Sequence, residues 1–304
     1  MHLVDQARAG DVRALARLLT AVESGSPDLS EISADLMRYT GGSHIVGITG
    51  APGVGKSTTT SALVDVLRGK GSRVAVLAVD PSSPFSGGAL LGDRVRMQHH
   101  ATDDGVFIRS MASRGHLGGL SAATPQALRV LDACGFDVVL VETVGVGQSE
   151  VEVMSQTDTV LVLLAPGSGD GVQVAKAGIL EIADIFVVNK ADRDGVGAMT
   201  RELRAMITLG SRQPGDWVPE ITTTVAIRGE GIADLTDVLE RHRAWAHASG
   251  DLRQRRLGRI MREIEALALD RIRTGLHDSA ELADQVLAGE LDPYQAAQIL
   301  TESR

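Results

Sequence analysis

The chain has 304 residues, enough for one α/β domain of ordinary size with helical additions. Hydrophobic residues make up 43% of it and charged residues 23%, as in a globular protein with a substantial core. The net charge of −9 argues against a broad nucleic-acid-binding surface, so we expect no nucleic-acid partner. A single cysteine excludes an internal disulfide, and neither a membrane span nor a signal-peptide pattern is evident. We therefore expect a cytoplasmic protein without a membrane partner.

Residues 1–40 have the pattern of a helical arm. Asp11 can cap a helix whose apolar residues recur at helical spacing, and Gly25 follows its end. A second short helix is expected from Ser30 to Met37. We expect this arm to pack against the rest of the protein.

A glycine-rich stretch after the apolar run 45–49 has the pattern of a phosphate-binding loop. Glycines let backbone amides point at phosphate oxygens, and the N-terminus of a helix beginning near Lys56 adds partial positive charge. We expect Lys56 to reach the β- and γ-phosphates of a nucleoside triphosphate, and the Ser57 hydroxyl to bind Mg²⁺. The alternative is a glycine-rich turn with a surface lysine, but every constrained position matches. The predicted nucleotide-binding residues here are Gly50, Ala51, Pro52, Gly53, Val54, Gly55, Lys56, Ser57 and Thr58.

From Gly41 onward, apolar β-rich segments alternate with helical patterns. Continuous apolar strands separated by helices are typical of a sheet covered on both faces. The sequence therefore predicts an α/β fold of the P-loop NTPase type, with a mostly parallel sheet and helical extensions at both ends. Ligands of such sheets bind beyond the carboxyl ends of the strands. The predicted strands span residues 45–49, 74–79, 138–141, 160–165, 185–188 and 221–225.

Two acidic residues follow the second predicted strand. Asp80 stands at the strand end, where it could hold Mg²⁺ through water or orient the attacking water, although an Asp-Pro pair also starts turns. Asp93 lies further along a Gly/Ser-rich connection and is a weaker candidate for the metal, with a solvated helix start as the alternative. His99 and His100 lack a third ligand at useful spacing, so we expect them to be structural or surface residues.

The next strand runs into Glu142-Thr143-Val144-Gly145, a spacing typical of the motif that senses a γ-phosphate. We expect Glu142 to contact the metal through water, because its side chain is one methylene longer than the usual aspartate. The amide of Gly145 would contact the γ-phosphate, so hydrolysis would release this loop. Val146 stands where signalling GTPases have a water-orienting glutamine, which predicts slow basal hydrolysis.

The segment Asn189-Lys190-Ala191-Asp192 closes another apolar run and has the pattern of a guanine-binding motif. The Asp192 carboxylate can accept hydrogen bonds from guanine N1–H and the exocyclic amine, whereas adenine presents a mismatched edge. Lys190 would lie along the base, and Asn189 would tie this segment to the phosphate loop. Backbone contacts to the base are expected from Thr224, Val225 and Ala226. GTP or GDP with Mg²⁺ is therefore the predicted ligand.

A long amphipathic helix is predicted from Asp251, followed by two short helices capped at Asp278 and Asp292. Its apolar face needs a surface to bury it, and a second copy of the chain is the expected one. The arginines on its other faces are expected to be solvated. The apolar face comprises Leu257, Ile260, Met261, Ile264, Leu267, Ala268 and Ile272, and the arginines are Arg253, Arg255, Arg256, Arg259, Arg262, Arg271 and Arg273.

These motifs together resemble the MeaB/ArgK group of G proteins, to which the human methylmalonic aciduria type A protein is related. The resemblance implies a homodimeric GTPase that acts as a chaperone of an adenosylcobalamin-dependent acyl-CoA mutase, gating cofactor loading and protecting the enzyme. One departure is Val225, where the family usually has serine. The similar segments are 10–11, 50–57, 80–84, 92–94, 142–150, 167–178, 189–192 and 292–294.

Two other functions stay open. The first is a kinase-like ATPase linked to amino-acid transport, which would tolerate ATP. The second is a nickel metallochaperone, which would need surface clusters of histidine and cysteine. The expected organisation is an N-terminal helical arm over residues 1–40, a P-loop GTPase domain over 41–248 and a C-terminal dimerisation arm over 249–304.

Overall fold

The computed structural model describes residues 2–81, 100, 102–113, 123–143, 154–167, 182–210, 213–275 and 279–302. The side chains of residues 80, 81, 112, 113, 273–275 and 302 lie outside that description. The chain divides into two compact units, Met1–Leu257 and Gly258–Arg304. Within the described ranges, no helix is both long and apolar enough to cross a membrane.

The described residues form seven strands and ten α-helices, numbered here in chain order. The strands are β1 (His44–Gly50), β2 (Val74–Pro81), β3 (Val106–Ser113), β4 (Val138–Thr143), β5 (Thr159–Leu164), β6 (Ile185–Asn189) and β7 (Glu220–Thr224). The helices are α1 (Leu3–Arg8), α2 (Val12–Ser24), α3 (Leu29–Leu36), α4 (Lys56–Gly69), α5 (Ala123–Ala133), α6 (Val196–Leu209), α7 (Ile232–Ser249), α8 (Asp251–Gly275), α9 (Ala280–Leu287) and α10 (Pro293–Glu302).

The strands form one sheet in the order β3-β2-β4-β1-β5-β6-β7, and every neighbouring pair is parallel. The predicted α/β fold is confirmed, and all six predicted strands are present. In the register of β1 and β4, Ile48 faces Glu142, and in that of β1 and β5, Gly50 faces Leu163. The carboxyl ends of these three strands therefore meet at one edge of the sheet.

Strand β3 is absent from the sequence prediction. It is an edge strand, and its run is interrupted by the polar residues Arg109 and Ser110. Arg109 contacts Glu23 and the Thr20 hydroxyl on α2, so a charged residue in the strand has partners on a helix. A search for continuous apolar runs therefore passes over it.

Helices cover both faces of the sheet with separate apolar cores. Helices α1, α2, α3, α5 and α6 contribute to the core on one face, and α4 and α7 to the core on the other. Strands β1, β4, β5 and β6 are buried throughout, as their continuous apolar runs predict.

The N-terminal helices belong to the first of these cores, which confirms that they pack against the rest of the protein. Leu18 and Leu19 on α2 are fully buried there. The Asp11 carboxylate caps α2 by accepting hydrogen bonds from the amides of Arg13 and Ala14, at 2.8 and 3.1 Å. Gly25 ends the helix with a φ of 67°, a conformation that glycine adopts at low cost.

Most of α8, together with α9 and α10, belongs to the second unit. The predicted cap of α10 is confirmed: the Asp292 carboxylate accepts from the amides of Tyr294 and Gln295, and the Gln295 side chain accepts from the Asp292 amide. The predicted cap Asp278 lies outside the described residues, and Ser279 precedes α9.

Candidate nucleotide-binding site

The loop between β1 and α4 fits its surroundings only with glycine at two positions. Gly50 has a φ of 147°, and a Cβ there would lie 2.3 Å from the carbonyl oxygen of Leu163 on β5. Gly55 has a φ of 102°, and a Cβ there would lie 2.3 Å from Asn189 Nδ2. A larger residue at position 50 would push the loop away from β5, and one at position 55 would displace the Asn189 side chain.

Lys56 begins α4, as predicted, and its side chain is buried at the loop. Its Nζ donates to the carbonyl oxygens of Gly50, at 2.6 Å, and Ala51, at 3.2 Å. A positive charge is thereby held where the helix N-terminus and the loop amides also favour an anion.

Two hydroxyls on α4 reach the carboxylate of Glu142 at the end of β4. Ser57 Oγ donates to Oε1 at 2.7 Å, and Thr60 Oγ1 lies 3.0 Å from Oε2. All three side chains are buried. The structure thus brings together Ser57 and Glu142, two of the predicted metal-binding residues. It adds Thr60, which sequence reasoning missed and whose only signal is its position one helical turn after Ser57.

The donor chemistry at this point fits Mg²⁺, which prefers oxygen ligands and keeps several waters alongside one or two carboxylates and substrate phosphates. Ser57 supplies a hydroxyl oxygen and Glu142 a carboxylate within hydrogen-bonding distance of it. Across the described ranges, no group of three or more His, Cys, Asp or Glu side chains could hold a metal. The residues therefore suit a cation that is completed by water and phosphate.

His100 is buried, with Nε2 3.3 Å from Ser61 Oγ on α4 and 3.8 Å from Asp65. This agrees with the structural role expected for it. Its neighbour His99 lies outside the described residues.

The segment Asn189–Asp192, which has the pattern of a guanine-binding motif, is joined to the phosphate loop, as predicted. Asn189 Nδ2 donates to the carbonyl of Val54 at 2.8 Å, and Lys190 Nζ donates to that of Gly53 at 2.6 Å. Lys190 has a φ of 57°, a rare conformation for a residue with a side chain. Two distant segments of the chain are therefore held together at one end of the sheet.

Asn189 also organises the segment after β7. Its Oδ1 accepts from Thr224 Oγ1 and from the Ala226 amide, both at 3.1 Å. The Val225 amide donates to the carbonyl of Glu230 at 3.0 Å. These amides are used within the protein here, and the base contacts expected of Thr224, Val225 and Ala226 stay predictions.

Asp192 is exposed and faces Arg228, a residue that sequence reasoning missed. Arg228 Nη1 lies 3.4 Å from Asp192 Oδ2, and Arg228 Nε donates to Glu230 at 2.7 Å. The carboxylate predicted to bind guanine thus has a cation beside it. Thr58 on α4, another predicted nucleotide-binding residue, is also exposed.

Several predicted site residues cannot be placed. Asp93 and Gly145 lie outside the described residues, as do the segments 144–153 and 168–181, and the side chain of Asp80 is not described either. Their proposed roles rest on the sequence.

The opposite, amino-terminal edge of the sheet holds a cluster of buried charges. Arg255 makes two hydrogen bonds of 2.8 Å to Asp184, and Arg256 Nη2 lies 2.8 Å from Asp158 Oδ2. Burial alone would raise the pKa of the Asp184 carboxyl, but His242 and Arg255 together hold it below its usual value. Arg255 and Arg256 were expected to be solvated, but both are half-buried, because buried carboxylates before β5 and β6 attract them.

The same edge contains a buried chain of two histidines joined by a threonine. Thr159 Oγ1 lies 2.7 Å from His44 Nε2 and 2.8 Å from His242 Nδ1. Since a hydroxyl has one proton, it can donate to only one of the two rings, and at least one ring donates to it. Burial lowers the pKa of His44 to about 3, although Asp158 opposes the shift, so the ring is neutral near pH 7.

A parallel sheet with a lysine-bearing glycine loop between β1 and α4 defines a P-loop NTPase, and the attached Asn189–Asp192 segment has the pattern of the guanine-binding class. The chain belongs to the MeaB family: the family model described as "Methylmalonyl Co-A mutase-associated GTPase MeaB" matches residues 15–281.

Similar proteins agree with this assignment. A Pyrococcus horikoshii protein named as a GTPase is 46% identical over 307 residues, covering 99% of this chain and 97% of its own length. The mouse protein named "Methylmalonic aciduria type A homolog, mitochondrial" is 36% identical over 268 residues, covering 85% of this chain and 65% of its own. The crystal structure titled "LAO/AO transport system kinase" aligns with a TM-score of 0.72 at 28% identity, over 99% of this chain and 95% of that one.

Proposed function

We propose that this protein hydrolyses GTP with Mg²⁺ and acts as a chaperone of an adenosylcobalamin-dependent acyl-CoA mutase, with methylmalonyl-CoA mutase as the partner. The observation that carries the nucleotide part is the attachment of the guanine-type motif to the phosphate loop through Asn189 and Lys190. The partner rests on the family description, which names the mutase.

The residues of the loop suggest how the triphosphate is held. Lys56 Nζ turns from the carbonyls of Gly50 and Ala51 to the β- and γ-phosphates, exchanging neutral acceptors for charged ones. Ser57 and Glu142 would hold the metal, Ser57 through its hydroxyl and Glu142 through water. Bound Mg²⁺ would neutralise the charge on the β- and γ-phosphate oxygens.

Turnover by the protein alone is expected to be slow. Val146 cannot orient water, so attack would depend on Asp80, Glu142 and the Gly145 amide. A partner that positions these groups for attack would accelerate hydrolysis, which would connect nucleotide state to the mutase.

A homodimer completes the proposal. Several apolar side chains of α8 are exposed, among them Ile260, Met261 and Ile264, and burying such a stripe favours association. A second copy of the chain is the proposed occupant, as the family resemblance implies.

The proposal is tested by GTP turnover with and without purified methylmalonyl-CoA mutase. The wild type should release phosphate slowly alone and faster with the mutase. Lys56→Ala should lose tight GTP binding, because the positive charge that would meet the β- and γ-phosphates is gone. It should therefore release no phosphate above background with or without the mutase. Equal rates with and without mutase would reject the partnership, while leaving GTP hydrolysis to be judged from the rate without mutase.

The kinase-like ATPase linked to transport is the second candidate, since the structural relative at 28% identity carries such a title. It predicts ATP binding as tight as GTP binding. The carboxylate of Asp192 argues against it, because an acceptor pair meets guanine donors but not the adenine edge.

A further inference from the structure

Thr60 shares the carboxylate of Glu142 with Ser57. The two hydroxyls lie one turn apart on the buried face of α4, and each approaches a different carboxylate oxygen, at 2.7 Å from Ser57 and 3.0 Å from Thr60. Thr60 is fully buried, and Glu142 is 1% exposed. A buried carboxylate needs donors, and α4 places a hydroxyl within hydrogen-bonding distance of each of its oxygens.

The position of Thr60 also offers its proton a second acceptor. Thr60 Oγ1 lies 3.0 Å from the carbonyl oxygen of Lys56, four residues earlier, as it does from Glu142. A threonine whose hydroxyl donates only to the carbonyl four residues earlier in its helix needs no carboxylate beside it. Thr236 on α7 is such a residue, buried and donating to the carbonyl of Ile232 at 2.8 Å.

We propose that Thr60 is a positioning residue for the magnesium site, holding Glu142 so that its Oε1 accepts the Ser57 proton. With that proton directed to Glu142, the lone pairs of Ser57 Oγ are left for the cation. Thr60 thus acts on the metal through Glu142 and Ser57 without touching it. The inference rests on the proposed function, since it concerns Mg²⁺ bound with a guanine nucleotide.

Removing the Thr60 hydroxyl should weaken Mg²⁺ binding more than nucleotide binding. In Thr60→Val, Glu142 loses the Thr60 hydroxyl beside Oε2. The orientation in which Oε1 accepts from Ser57 is then held less firmly. Mutation of residues that orient metal ligands typically lowers metal affinity by about 10–100-fold. We therefore expect about a tenfold rise in the Mg²⁺ concentration needed for half-maximal slowing of GDP release. Thr60→Ser keeps the hydroxyl and should restore the wild-type value.

The experiment follows release of a fluorescent GDP analogue from the full-length protein as Mg²⁺ is varied, which needs no catalysis. Thr236→Val is the matched control, because it removes a buried threonine hydroxyl that bonds to the carbonyl of Ile232 on its own helix. Release without Mg²⁺ should be similar in all variants. If Thr60→Val does not fold, Thr60→Ala is measured with the same expectation.

A second measurement separates positioning from a general loss of stability. Since Thr60 acts through Glu142, adding Thr60→Val to Glu142→Ala should not raise the required Mg²⁺ further. An unchanged Mg²⁺ requirement in Thr60→Val, or additive effects in the double variant, would overturn the inference. A wild type that does not bind GDP at all would instead reject the proposed function.

Discussion

In the proposed GTP site, we expect base recognition to depend on one carboxylate, that of Asp192. We expect Asp192→Asn to weaken GTP binding by about 2–4 kcal/mol, because an amide donor would then face guanine donors. The same change should improve binding of xanthine nucleotides, whose carbonyl replaces the guanine amine. Calorimetric titration with both nucleotides tests this.

Asp194→Asn is the matched control, since it makes the same chemical change two residues further along the exposed loop. It should leave GTP affinity at the wild-type value. Unchanged GTP affinity in Asp192→Asn would remove the guanine assignment.

The buried histidine His44 should make the fold sensitive to acid. Burial lowers its folded-state pKa from 6.5 to about 3, against the opposing charge of Asp158, while Arg243, His242 and Arg256 lower it further. His44 therefore binds a proton below about pH 6.5 in the unfolded chain, but only below about pH 3 in the folded chain. The free energy of unfolding should fall by about 2 kcal/mol from pH 7 to pH 5 on this account.

Urea unfolding of His44→Gln at pH 7 and pH 5 measures that contribution. Glutamine can hydrogen-bond to Thr159 but does not titrate, so the variant should lose most of the pH dependence over this interval. His247→Gln, at an exposed position on α7, should keep it. A full wild-type dependence in His44→Gln would contradict the assignment to His44.

At the scale of elements, apolar runs predicted the strands that are buried on both faces. Edge strand β3 was not predicted, because the charged residue Arg109 interrupts its apolar run and finds its partners on α2, outside the sheet. The contact between the guanine-type motif and the phosphate loop could be predicted, because the role of Asn189 belongs to the motif itself. The carboxylate partners of Arg255 and Arg256 could not be predicted, because Asp184 and Asp158 lie far away in the sequence, at separations of 71 and 98 positions.

The ion pair of Arg256 with Asp158 should stabilise the fold despite its polar nature. The Asp158 side chain is 1% exposed and that of Arg256 25%, so Arg256→Met would leave a buried charge without its guanidinium. We expect a loss of about 2–4 kcal/mol of unfolding free energy, below the value for a fully buried pair because the arginine is partly solvated.

Arg253→Met on the same helix is the control, since that side chain is exposed and the change in charge is the same. Chemical denaturation of both variants provides the comparison. Equal losses would show that the contact with Asp158 contributes nothing specific.

At the scale of the whole molecule, the exposed apolar side chains of α8 bear on the proposed homodimer. Ile264 is 61% exposed, and Ile264→Glu would bring a charge into any interface that covers it. Sedimentation velocity should then show dissociation of a wild-type dimer into monomers. Ala266→Glu adds the same residue away from the apolar face and should remain dimeric. A wild-type monomer at micromolar concentration would contradict the dimer directly.

The most direct test of the central claim is phosphate release from GTP and from ATP by the purified protein with Mg²⁺. The proposal predicts slow release from GTP, far slower release from ATP, and loss of the GTP activity in Lys56→Ala. Hydrolysis of ATP at a rate equal to that of GTP, or wild-type GTP hydrolysis by Lys56→Ala, would contradict it.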